Sequence, residues 1–148
     1  MTLSDWQKYG WLTPHQTSAR EISDLLAVVE RDLADSAADR VSADWRLNIA
    51  YNAALQAATI ALAASGYRAS RDQHHYRIIQ SLRETIAAEE GVVMAFDAFR
   101  KKRNLGGYER AGVASDADAA EMRKLAITLR DHVMAWLEAS HPELLAEG

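Results

Sequence analysis

Apolar residues recur along this chain at three- and four-residue intervals, and alternating runs of β-branched residues are absent. That periodicity lays an apolar stripe along a helix and cannot serve a half-buried strand, so the sequence predicts an all-α fold. Only two prolines and seven glycines interrupt a chain rich in Ala, Leu, Arg and Glu, which favours helix further. Five helical segments and no strand are expected.

Thr13-Pro14-His15-Gln16 has the form of a helix start, and Ser18 with Glu21 forms a second. The first long helix then carries Ile22, Leu25, Leu26, Val29 and Leu33 on one stripe and is expected to end near Asp39. Ser42 caps a second helix carrying Trp45, Ile49, Ala53, Ala57, Ile60 and Ala64, with Gly66 as its stop. Ser70 with Gln73 reads as a capping box for a third, whose inward stripe is His75, Ile79, Leu82 and Ile86. Gly91 marks a break, after which Val92, Phe96, Phe99 and Arg103 share a face up to Gly106-Gly107. Ser115 and Asp118 open the last helix, with Met122, Leu125, Leu129, Val133 and Trp136 facing one way and Pro142 beyond its end. Short connections between such helices predict an up-and-down antiparallel bundle of four to five helices.

At 148 residues the chain fits one domain, residues 1–148, able to bury a single core. It has no cysteine, which excludes disulfides, thiolate metal sites and a cysteine nucleophile together. The start, Met-Thr-Leu-Ser-Asp-Trp, has no basic segment followed by an apolar run, and the most apolar stretch, Ile49 to Ala64, includes Asn52 and Gln56. A cytoplasmic, soluble protein with no membrane role is therefore expected. The net charge of −4 argues against a uniformly positive nucleic-acid coat.

Against that acidic whole, Phe99 to Arg110 holds five basic residues and one acid. Guanidinium forks bind phosphate oxygens bidentately, amides donate, and a ring can stack on a base. This makes Arg100, Lys101, Arg103 and Arg110 the candidate RNA- or nucleotide-binding residues. Basic residues also offset the dipole in the last turn of any helix, but Arg103 continues the apolar face, so its charge should project toward the bundle or a partner and needs an anion. The histidine pair His74-His75 reads as ordinary, one ring packed and the other capping or solvated. Arg68 precedes His74 by six positions, a spacing read as accidental. Trp6, Trp11, Trp45 and Trp136 read as core or interface anchors more than base-stacking platforms. No metal site or cofactor is expected, since there is no paired-ligand spacing, serine elbow or phosphate-cradling glycine loop.

The Ala-rich helix Tyr51 to Tyr67, the run His74-His75-Tyr76-Arg77-Ile78-Ile79, and Arg103-Asn104 with Tyr108 resemble the HEPN family of prokaryotic toxin–antitoxin and nucleotidyltransferase-associated helical bundles. The resemblance implies metal-independent RNA cleavage at a dimer interface, by an Arg followed after four to six residues by a His. Carried over, the catalytic positions are Arg103, Asn104 and Tyr108, with a tyrosine where the family places its histidine. A phenol, with a pKa of about 10, is a weak general base at neutral pH. The resemblance therefore implies a homodimer that binds RNA or a nucleotide, with ribonuclease activity weak or lost. Two further readings keep the fold. In one the chain is a non-enzymatic partner of a nucleotidyltransferase-type antitoxin, with Tyr108 as modification acceptor. In the other it is an oligomerisation module in which Arg103 pairs with Asp97 or Glu109.

Overall fold

The computed structural model describes residues 1–106 and 112–145, with 104–106 described by their place in a helix alone. Six α-helices form the bundle: α1 (Leu3–Lys8), α2 (Ala19–Asp35), α3 (Ala43–Ala64), α4 (His74–Thr85), α5 (Glu90–Gly106) and α6 (Asp116–Ser140). A short 3-10 turn, Pro142–Leu144, follows. The all-α expectation holds.

α3 is the centre. Alanines 50, 53, 54, 57, 58 and 61 are all buried along it, together with Leu47, Tyr51, Leu55 and Ile60. Small side chains let the neighbouring backbones approach closely, and α2, α4 and α6 pack around it. By length and mean hydropathy (1.2) α3 would pass for a membrane span, yet 67% of its most apolar window lies inside the protein. From α6, Met122, Leu129 and Val133 complete the core, with Leu125 and Trp136 at its margin.

Ser18, Ser42 and Ser115 cap their helices through the side-chain oxygen, and Ser115 forms a full capping box with Asp118. Elsewhere the structure departs from the sequence reading. α1 was not anticipated, although Thr2 and Asp5 make a capping box at its start. Thr13 and Pro14 begin no helix. They lie in a strand, β1 (Leu12–Pro14), which pairs antiparallel with β2 (Tyr67–Ala69). Pro14 ends the strand, where its missing N–H costs no ladder bond.

α2 stops at Asp35 rather than near Asp39. Arg123 of α6 donates from Nε to the Leu33 carbonyl at 3.2 Å and to Ser36 Oγ at 3.1 Å, satisfying at Leu33 a carbonyl that a longer helix would consume. The break expected at Gly91 falls earlier. Ala87 takes a left-handed φ of 51°, and Gly91 lies in the first turn of α5. Arg83 and Glu90 bridge the corner as a fork, with contacts of 2.6 and 2.5 Å.

Candidate phosphate cleft at the start of the fourth helix

Ser70 and Gln73 form no capping box. Ser70 Oγ donates instead to the Gly10 carbonyl at 2.7 Å, which ties the turn after β2 to the N-terminal segment. α4 opens at His74 with Gln73 in the left-handed region (φ 51°, ψ 40°) and with no side-chain cap. The first backbone N–H groups of a helix have no acceptor within it, and the aligned peptide dipoles place partial positive charge there.

Two half-buried arginines from the end of α5 face that helix start. Gln73, His74, His75, Tyr76, Arg100 and Arg103 line one open cleft of about 530 Å³. Arg100 donates from Nε to Asp97 Oδ1 at 2.7 Å, and its guanidinium lies 5.4 Å from the Tyr76 ring centre. Arg103 lies 5.0 Å from the ring centre of Tyr51, so its charge does project inward from α5. Cation–π contacts of this kind orient a guanidinium over the face of a ring.

Tyr51 is the floor. It is 1% exposed and packs edge-on against Phe96 at 5.6 Å. Burial pushes its phenol up to about 12, against the opposing pull of Arg103 and Arg100, so it keeps its proton. Its hydroxyl lies 3.1 Å from His75 Nδ1. Burial first, then the charge of Arg103, holds His75 below the usual histidine range, with smaller contributions from His74 and Arg100. When the tyrosine donates to Nδ1, the proton of the neutral ring sits on Nε2, which then donates to an anion and is no base. His74 is exposed, and its Nδ1 lies 3.2 Å from the Ser70 carbonyl.

The predicted site residues divide. Arg100 and Arg103 enter the cleft. Lys101 is exposed and sits 3.6 Å from Asp97. Asp97 forms ion pairs with both Arg100 and Lys101. The side chain of Asn104 and all of Tyr108, Glu109 and Arg110 lie outside the described residues.

What the sequence reading missed is the histidine beside Arg103, supplied by α4. The sequence reading places His75 in a packing stripe and treats the His74-His75 pair as one packed ring and one capping or solvated ring. Arg68 and His74 also meet, with His15 and Glu21, at a separate cavity of about 180 Å³. Among the described residues no three His, Cys, Asp or Glu side chains assemble as a metal set.

The class these observations define is an all-α bundle with a cationic cleft at an uncapped helix start. No protein-family model matches the chain, and no curated protein or solved structure does either.

Proposed function

We propose that this protein binds RNA or a nucleotide through a phosphate group held at the start of α4 by Arg100, Arg103 and His75. One observation carries the reading: two guanidiniums from α5 and two imidazoles from α4 line a single cleft at a helix start that lacks a side-chain cap. Helix starts of this kind favour anions, and the arginine forks suit phosphate oxygens. The HEPN resemblance supports the same ligand class and adds a homodimer, which light scattering checks.

Cleavage is weak in this reading. A 2′-hydroxyl needs an acceptor for its proton, and the Tyr51 hydroxyl favours the His75 tautomer that carries a proton on Nε2. Binding of a short single-stranded RNA and of ribose 5-phosphate is measured by calorimetry for the wild type and Arg103→Ala. Losing a charge-assisted contact should weaken both ligands by roughly tenfold to a hundredfold. Equal affinities in the two proteins would remove the site.

A further inference from the structure

A second cleft, of about 260 Å³, lies beside the first and shares His75 and Arg103 with it. Its walls come from the end of α2 and the start of α3: Arg31, Asp32, Trp45, Asn48 and Asn52. From this continuity we infer that the second cleft receives the nucleobase of the ligand whose phosphate lies at Arg103. The inference rests on the phosphate reading above.

Trp45 is the first argument. It is 54% exposed, while every other position of α3 is buried or half-buried. An indole left in water at the mouth of a polar cleft offers a flat π-face, and every nucleobase has one to match. Trp45, Asn48 and Asn52 follow one another at three- and four-residue steps, so they share a face of α3.

Hydrogen bonding separates the two asparagines. Asn52 donates to Asp32 Oδ2 at 2.7 Å and accepts from Gln56 at 3.3 Å. Asp32, only 6% exposed, also accepts from Arg31 Nε at 3.0 Å. These groups are committed to one another and form a fixed polar wall. The Asn48 side-chain amide has no hydrogen bond to another described residue, so it brings one acceptor and two donors to the cleft. A paired donor and acceptor is what reads a base edge bidentately. A base stacked on Trp45 would meet Asn48 at its edge while its phosphate lay toward Arg103 and His75.

Calorimetric titration of ribose 5-phosphate and of AMP, GMP, CMP and UMP tests the inference in wild type, Trp45→Ala and Asn48→Ala. In the wild type at least one nucleotide should bind about tenfold or more tighter than ribose 5-phosphate, the scale of one base-stacking contact. Trp45→Ala should erase that margin and leave ribose 5-phosphate unchanged. Asn48→Ala should narrow the differences among the four nucleotides.

If ribose 5-phosphate binds with dependence on Arg103 but no nucleotide exceeds it, the base cleft is refuted and the phosphate site stands. If no phosphate compound binds, both fall. If Trp45→Ala keeps the nucleotide preference but changes the mass seen by light scattering, the indole is covered by a second copy of the chain, and the inference is overturned.

Discussion

His75 carries two opposing influences that a ligand would rebalance. In the free protein, burial and the Arg103 charge disfavour its imidazolium form; a bound phosphate favours it. Binding therefore raises the His75 midpoint, and affinity should rise as pH falls from 8 toward 7, where the phosphate stays mostly dianionic. The same group acts oppositely on folding. Because the folded value is lowered, the unfolded chain takes up the proton first, so the contribution to stability is present above about pH 6.5 and is lost as pH falls below it. NMR titration of the His75 ring with and without ribose 5-phosphate reads both effects. A ring with the same midpoint in the two states, or a His75→Gln variant with unchanged pH dependence of binding, would contradict this account.

α3 holds the core together through smallness. Leu47, Leu55 and Ile60 fill volume, but the alanines set how near α2 and α6 can lie, and Tyr51 and Asn52 of the same helix line the second cleft. Ala57 is 1% exposed. Adding three carbons there forces side chains off their rotamers or displaces a neighbouring helix, so Ala57→Leu should destabilise by about 1–3 kcal/mol. A lower urea midpoint at an unchanged slope is the expected result. α4 contributes differently, since its start in the cleft has no side-chain cap where α2, α3 and α6 each have a serine.

For the molecule as a whole, ligand and fold are linked because the cleft has no counterpart in the unfolded chain. Its groups come from α4 and α5, and the bundle is cross-braced by Arg46 with Asp116, Lys102 with Asp118, and Arg130 with Glu30. Asp44 adds a further brace, accepting from the backbone N–H groups of Gly112 and Ala114 at 2.6 and 2.9 Å. A ligand at a hundred times its Kd stabilises the folded state by about 2.7 kcal/mol, which should raise Tm by roughly 5–11 °C in a chain of this size. Differential scanning calorimetry with ribose 5-phosphate checks this. Arg103→Ala at the same ligand concentration should show little of the rise.

Helices were legible because their signals are local: the stripe Ile22, Val29, Leu33, the caps Ser18, Ser42 and Ser115, and the stop near Gly66 each depend on residues within two turns. The inward turn of Arg103 was legible for the same reason, from its place on the face of Phe96 and Phe99. Pairings between distant residues were not. Three-residue strands carry no periodicity of their own, and Pro14, a plausible first helical residue by local rules, joins a strand because Tyr67 lies opposite it. His75 and Arg103 belong to different helices, and only the packing of both against Tyr51 makes one cleft of them. Sequence alone thus determined the long helices, through short-range periodicity and capping, whereas the short strands and the site required the tertiary structure, because their partners meet through space and not along the chain.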